Sequence, residues 1–344
     1  VHMNLFRYSK RVCDAPGHGE MIISQFPPEC PFGVVDWKYY ISGDFDPGEF
    51  DYDENESPLA QLFKLRKSVP MPSFLNRDSS CINSDYSSGG RDLKNGYYCS
   101  GCFGSEDIWY SGLVHNSREI MDSNTVKSCD SIYGSVEVRN SYKSSFLYFT
   151  RDTSDSMFMF DCRNCSDCFG CVNLRNKRFC VWNKQLTKEE YTEFIKNAYP
   201  LSHDKLESYK EKFWTLVKSL PLNAPRNTMS VNCTGTKIDE SKNVHDVIES
   251  YKSENLRHVT GALNMNDSMD VLYSGGHSER LYQTCNVGSQ SRDTKYSIST
   301  KTAIECEFVL NCRHVTNCFM CVGIEDKKFC IFNKQYTEEE YWPM

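Results

Sequence analysis

Residues Cys162–Tyr191 read CRNCSDCFGCVNLRNKRFCVWNKQLTKEEY, and residues Cys312–Tyr341 read CRHVTNCFMCVGIEDKKFCIFNKQYTEEEY. The two stretches align without a gap and are identical at 16 of 30 positions. Such an internal duplication marks a repeat architecture before composition is considered. It continues more weakly upstream. Lys94-Asn95 pairs with Lys242-Asn243, Asp122 with Asp270, and Tyr133 with Tyr282. Each copy is therefore expected to be about 110 residues long.

Within the first copy, short apolar clusters alternate with Ser, Asn, Asp and Gly. They fall at Tyr97-Tyr98, Ile108–Tyr110, Ile120-Met121, Ile132-Tyr133, Phe146–Phe149, Met157–Phe160 and Phe179–Trp182. No cluster is long enough for a helix, and the residues between them are strand punctuation. The clusters lie mostly 11 or 12 residues apart, and this even spacing, about 22–24 residues per double step, predicts a mainly β fold: two tandem parallel β-solenoid modules, each coil contributing two or more strands. A β-sandwich with strands every 8–12 residues is the rival fold.

Both copies then turn helical at one place. Thr187-Lys-Glu-Glu190 and Thr337-Glu-Glu-Glu340 carry the capping-box pattern, so a helix is expected to cap each module and cover its open strand edge. A second helix after Ser202 presents Leu206, Tyr209, Phe213, Leu216 and Leu220 as one apolar stripe, ended by Pro221 and Pro225. The domains expected are a lead-in at 1–79 packing on the first module, module one at 80–194, a helical linker at 195–227 and module two at 228–344. The lead-in holds a helix-like piece at 57–65 with Pro58 in its first turn.

Composition narrows the function. With 39 Lys+Arg against 46 Asp+Glu the net charge is −7, which disfavours a general nucleic-acid or membrane-surface binder. No apolar run reaches the roughly 18 residues of a membrane span. Val1-His2-Met3 resembles a cloning remnant, so natural residues are expected to precede Met3. The 18 cysteines suit either a disulfide framework or reduced thiols, and we expect cytoplasmic, reduced thiols.

The chain resembles a family of uncharacterised, cysteine-rich, tandemly duplicated proteins of candidate-phyla bacteria. The resemblance rests on Cys13-Asp14, Ile22–Ser24, Trp37, Asp44–Pro47, Phe50–Asp53, Gln61–Leu65, Asn83–Tyr86, Lys94-Asn95, Cys168–Cys171 and the Asn-Lys-Gln tracts at Asn183 and Asn333. Members often carry a CaiB/BaiF CoA-transferase label. The repeats give that label no support, because short rungs lack the alternating α/β pattern of such an enzyme. The family's usual N-terminal zinc-ribbon-like segment and Arg-rich stretch are not found in this sequence, so a nucleic-acid role attached to such a segment is not expected of it. Phe45 stands where the family usually has Trp, and Gly96 where it has Cys.

The candidate metal ligands are Cys162, Cys165, Cys168 and Cys171, spaced as thiolates around a tetrahedral Zn²⁺ or, less closely, an iron–sulfur cluster. The second copy keeps Cys312, Cys318 and Cys321 but has Val315 at the remaining position, with His314 as a substitute ligand. Buried structural thiols are the reading carried forward, with zinc the alternative and no other cofactor expected. On that reading Cys168→Ser should lose stability, its hydroxyl lacking a sure partner. Asp44, Asp46, Asp51 and Asp53 could offer oxygens to Ca²⁺ but lack EF-hand order, so a solvated loop is expected. His115, His245, His258 and His277 read as ordinary polar residues. No nucleophile elbow, P-loop or dinucleotide fingerprint occurs.

These features point to a non-enzymatic scaffold or binding protein whose partner is a protein or a glycan. The alternatives are a zinc- or cluster-binding regulator, or a β-helix enzyme acting on polysaccharide. The enzyme would require two or three carboxylates from adjacent coils in one groove.

Overall fold

The computed structural model describes residues 8–42, 46–74, 80–222, 269, 291–298 and 300–344, together with the backbone of Gly235–Asp239, Val247–Tyr251, Leu272–Ser274 and Cys285–Val287. The fold is mainly β, and its strands pair in parallel over residues 91–181. Seven of them close a ring of pairings. Phe103–Trp109 joins Gly112–His115, then Asn124–Lys127, Val136–Arg139, Tyr142–Ser154, Asp130–Tyr133 and Arg118–Met121, which returns to Phe103–Trp109. Further parallel strands extend the ring through Arg175–Val181.

Over residues 91–181 the register step is 12 residues: Ile108 pairs with Ile120 and Ile120 with Ile132, while Val114 pairs with Val126 and Val126 with Val138. This is the spacing of the apolar clusters themselves, half of their double step of about 22–24 residues. The reason is a turn at every third residue. Asp107, Tyr110, Leu113, Asn116, Glu119, Asp122 and Thr125 all have φ near +50°. The residue after each of them, from Ile108 to Val126, is buried. A triplet thus consists of one left-handed residue, one inward residue and one outward residue. Four triplets bring the chain back to its own register. Asn, Asp and Gly tolerate the left-handed region best, and they supply many of these corners.

Inward residues alternate aliphatic with small: Ile108, Ser111, Val114, Ser117, Ile120, Ser123, Val126, Cys129. Each aliphatic stacks on its equivalent one step away, and burying it is worth roughly 1.5–3 kcal/mol. Outward residues form four columns. The first runs Arg91, Phe103, His115, Lys127, Arg139; the second Lys94, Glu106, Arg118, Asp130; the third Tyr97, Trp109, Met121, Tyr133; the fourth Ser100, Gly112, Asn124, Val136.

Five helices occur among the described residues: α1 (Trp37–Ile41), α2 (Pro58–Ser68), α3 (Lys188–Ala198), α4 (His203–Ser219) and α5 (Glu338–Tyr341). The capping boxes form as the sequence predicts. The Glu190 amide donates to Thr187 Oγ1 at 3.2 Å and the Thr187 amide to Glu190 Oε2 at 2.8 Å, with the same pair at Thr337 and Glu340. The α3 helix continues past residue 194, the expected end of the first module.

The chain divides into two compact units. In the first, α3 and α4 cover the later steps of the third and fourth columns. Phe169 meets Phe194 and Tyr209 at 5.2 and 5.1 Å, and Trp214 meets Tyr148 at 4.9 Å. The second unit holds Glu29–Val35, Gly43–Met71 and Asn223–Met344. Here parallel pairing also steps by 12 in the last coils, as in Ala303 with Val315 and Cys318 with Cys330, while Leu272 pairs with Cys285, 13 residues on.

The lead-in was expected to pack on the first module. Instead it divides, with Val1–Pro28 and Asp36–Ser42 in the first unit and most of the remainder in the second. The physical reason is a need for cover. Val322, Ile331 and Phe332 are apolar like Val172, Val181 and Trp182, and Leu62, Leu65 and Val69 along α2 pack against them. Phe50 adds a backbone bond to Phe332, and Tyr52 stacks on its ring.

Both repeat ends close in one way. Asn183 Oδ1 accepts from the Val172 amide at 2.8 Å and its Nδ2 donates to the Val172 carbonyl at 3.0 Å; Asn333 does the same to Val322. Lys184-Gln185 and Lys334-Gln335 then fold back antiparallel on the last strand. The Asn-Lys-Gln tract is therefore an edge stop that satisfies a terminal peptide's donor and acceptor.

Candidate functional site

Cys162, Cys165, Cys168 and Cys171 occupy the four inward positions of one twelve-residue step, and all are at most 2% exposed. Each thiol donates to the carbonyl two residues earlier: Cys162 to Phe160 at 3.4 Å, Cys165 to Arg163 at 3.4 Å, Cys168 to Ser166 at 3.2 Å and Cys171 to Phe169 at 3.4 Å. Serine hydroxyls do the same one or more steps earlier, as in Ser105 to Phe103 and Ser111 to Trp109. They also accept from the amide 12 residues on, and so does sulfur: the Cys129 amide donates to Ser117 Oγ, and the Ser141 amide to Cys129 Sγ. Cysteine and serine are thus alternatives at one kind of position. The cysteine wealth of the chain follows from the small inward triplet residue.

The thiols do not form a tetrahedral set. Among the described residues no three of their sulfurs lie within 4.8 Å of one another. A Zn²⁺ with bonds near 2.3 Å needs all four at about 3.8 Å. Hydrogen bonding also divides the four thiols instead of favouring ionisation of all of them. The Cys162–Cys165 hydrogen bond, with burial, holds Cys162 up while Cys165 is held down; Cys168 and Cys171 divide in the same way.

In the second unit Cys312, Cys318 and Cys321 are equally buried, and Val315 fills the remaining inward position. Burial, with a smaller push from the neighbouring Cys318, raises the Cys312 thiol to about 12. His314 does not substitute for the absent thiol. It is a left-handed corner, exposed on the surface, with Nδ1 3.3 Å from Asp326 and Glu325 nearby. None of the described cysteines forms a disulfide.

The acidic tract does not converge either. Asp46 accepts from the Gly48 amide, Asp53 accepts from Asn55, and Asp51 pairs with Lys334 at 2.6 Å; Asp44 lies outside the described residues. Of the histidines singled out, His115 stacks on Phe103, while His245, His258 and His277 lie outside the described residues.

Two surface features stand out among the described residues. The first is an open groove of about 830 Å³ along the second column. It gathers Lys94, Glu106, Arg118 and Asp130, but the carboxylates are already held. Glu106 pairs with Lys94, and Asp130 with Arg118 at 2.9 Å. Asp130 lies below the usual carboxylate range because Ser131 donates to it, which is the opposite of what a general acid needs.

The second feature is the third column. Its early steps, Tyr97, Trp109, Met121 and Tyr133, are exposed or half-buried, with Tyr97 41% and Tyr133 42% accessible. Tyr97 and Tyr98 pack against Tyr86 and Tyr110, giving a ribbon of rings. The column continues without a break through Ser145, Met157 and Phe169, where α3 and α4 lie over it. A period of three in Ser, Cys, Ile and Val from residue 99 onward would have exposed these columns in the sequence.

No family model and no curated protein matches the chain. Among solved structures, a chain described as "putative acetyltransferase from Desulfovibrio desulfuricans G20" aligns over 76% of this chain and 68% of its own length, at 9% identity and a TM-score of 0.13. A score that low carries no argument about fold or activity. Among the described residues no helix is long and apolar enough to cross a membrane.

Proposed function

We propose that the chain is a non-enzymatic binding scaffold built of two tandem β-solenoid modules wound in twelve-residue coils, each closed by an Asn-Lys-Gln stop and a capped helix. The prevailing twelve-residue register step, the matched ends and the duplicated sequence support this architecture.

The binding face is the uncovered aromatic column Tyr97, Trp109, Met121 and Tyr133, and the partner is a protein that lays an amphipathic helix along it. One observation carries this reading: the same column, a few steps on, is the seat of α4. The molecule therefore displays on itself the kind of occupant this face accepts. Aromatic residues and Met are the types enriched at protein interfaces, and helix-in-groove docking is a common mode.

The test is to purify the natural full-length protein with its bound partners, and to repeat this with Tyr97→Ala/Trp109→Ala. Loss of one specific partner, with an unchanged melting temperature, supports the face. Retention of every partner by the variant rejects it. A neutral oligosaccharide whose binding the same substitutions abolish would reassign the face to a glycan.

A further inference from the structure

The uncovered aromatic column lies between two rows of left-handed corners. Trp109 stands between Asp107 and Tyr110 in the chain, and Met121 between Glu119 and Asp122. From Asn95 to Gly134 the outward column and its two corner rows hold three carboxylates, Asp107, Glu119 and Asp122, and no cation. The hydrogen-bond donors that reach them are uncharged. Asn95 Nδ2 donates to Asp107 at 2.8 Å, and Ser131 Oγ to Glu119 at 2.6 Å. Among the described residues no cation forms an ion pair with Asp122.

The neighbouring second column does not offset this charge. Lys94 and Arg118 feel Asp107 and Glu119, but Lys94 is bonded to Glu106, and Arg118 to Asp130 at 2.9 Å. That column cancels itself, so the face keeps its acidic surplus.

The covered end of the same ladder shows which charge sits against such a face. The corner row of Tyr110 and Asp122 continues in steps of twelve to Phe146 and Trp182, beneath α4. There Lys210 Nζ stands 5.2 Å from the centre of the Phe146 ring, and Lys212 Nζ 4.3 Å from that of Trp182. The helix that the ladder already holds thus sets ammonium groups on the rings of this row, where the ring quadrupole attracts them. On the uncovered stretch Tyr98 packs against Tyr8, so Tyr110 is the first ring of the row beyond the lead-in. A cation over Tyr110 would find the Asp122 step one strand spacing away, about 4.8 Å.

We infer that the helix docked on this face, on the reading proposed above, is basic. Its apolar stripe lies on Tyr97, Trp109 and Met121. Lys or Arg on one flank meets Tyr110 and Asp122, and on the other Asp107 and Glu119. Complementary charge of this kind selects among partners and speeds encounter. Nucleic acid and acidic lipid surfaces carry the sign of the face itself and are repelled by it.

Two synthetic peptides copying His203–Ser219 test the inference, titrated with the full chain at low salt. The basic peptide carries Glu207→Gln and Glu211→Gln; the acidic one carries Lys210→Glu and Lys212→Glu. The basic peptide should bind at least tenfold more tightly, and salt should weaken it. In the protein, Asp107→Asn/Glu119→Gln/Asp122→Asn keeps every acceptor and should melt as wild type. It should bind the basic peptide about tenfold more weakly and lose the preference between peptides. Asp152→Asn, on a distant corner row, should change nothing. Tyr97→Ala/Trp109→Ala should bind neither. If wild type binds both peptides equally and Tyr97→Ala/Trp109→Ala loses both, the helix-docking face stands and its basic partner is rejected. A tighter acidic peptide rejects the basic partner likewise. If neither peptide binds wild type, or if Tyr97→Ala/Trp109→Ala binds them as wild type does, the docking face falls as well.

Discussion

Gly170 lies one register step beneath the indole of Trp182. A β-carbon built on Gly170 would stand 2.2 Å from Trp182 Cε3. The aligned pair in the second copy is Met320 and Phe332, both buried. Gly170 and Met320 share a left-handed backbone, with φ of 67° and 51°. Backbone conformation therefore does not by itself demand the glycine; the indole above it does.

A double-mutant cycle should expose this exchange of volume. Gly170→Ala should destabilise by about 1–3 kcal/mol through overpacking. On a Trp182→Phe background the same change should cost at least about 1 kcal/mol less, as coupled neighbours do. Denaturant unfolding of the four proteins measures the coupling. Additive effects would mean that the indole moves aside freely.

Substitutions among the core thiols separate packing from metal binding. The sequence suggested that Cys168→Ser would leave a hydroxyl without a partner. The structure supplies one, the Ser166 carbonyl at 3.2 Å, and serines fill equivalent positions in the same column at Ser144 and Ser156. Cys165→Ser and Cys168→Ser should thus each cost under about 1 kcal/mol, whereas Cys165→Leu should cost about 1–3 kcal/mol. Elemental analysis of protein purified under reducing conditions should read the same for wild type and variants. One equivalent of zinc lost with Cys168 would replace the packing account by a metal site.

The thiols also set an alkaline limit. Burial pushes Cys129 and Cys180 up to about 11 and Cys312 up to about 12, from an ordinary value of 9.0. Below pH 9 these thiols are protonated in both folded and unfolded chains, and their contribution is fully present. Between pH 9 and about 11–12 the unfolded chain releases protons that the folded one keeps, so stability falls as pH rises. The melting temperature should drop across that window. Cys129→Ser should reduce the drop, and an unchanged melting temperature from pH 8.5 to 11 would contradict the thiol burial.

What the sequence revealed and concealed follows from the length scale of each signal. The capping boxes were legible because a Thr and a Glu three residues apart act within one helical turn. Parallel β structure was legible from the spacing of aromatic clusters. The spacing of those clusters carried the twelve-residue step, because they mark one outward column, but it did not reveal how a coil is divided. The true unit is the triplet, carried by Ser111, Val114, Ser117 and Ile120, residues too ordinary to attract notice. Cysteines drew attention as ligands because C-x2-C is also metal spacing, although the same spacing is the triplet itself. The division of the lead-in could not be read at all, since nothing local to Leu62 or Leu65 says which apolar surface they will cover.

The Asn183 clamp gives the last expectation. Its carboxamide takes the place of a next strand for the Val172 amide and carbonyl. Asn183 also sits at φ of 64°, where a left-handed residue is needed. Asn183→Gly keeps that backbone freedom and removes only the carboxamide, so it isolates the two hydrogen bonds. Leaving a partly buried donor and acceptor unsatisfied should cost about 1–3 kcal/mol. Asn183→Asp keeps an acceptor for the amide but sets a carboxylate against the Val172 carbonyl, and should be the worse of the two. Hydrogen exchange at the Val172 amide should quicken in both variants while the Ile120 amide, deep in the ladder, stays protected. If Val172 keeps its wild-type protection in Asn183→Gly, the edge is closed by the fold-back of Lys184-Gln185 and not by the clamp.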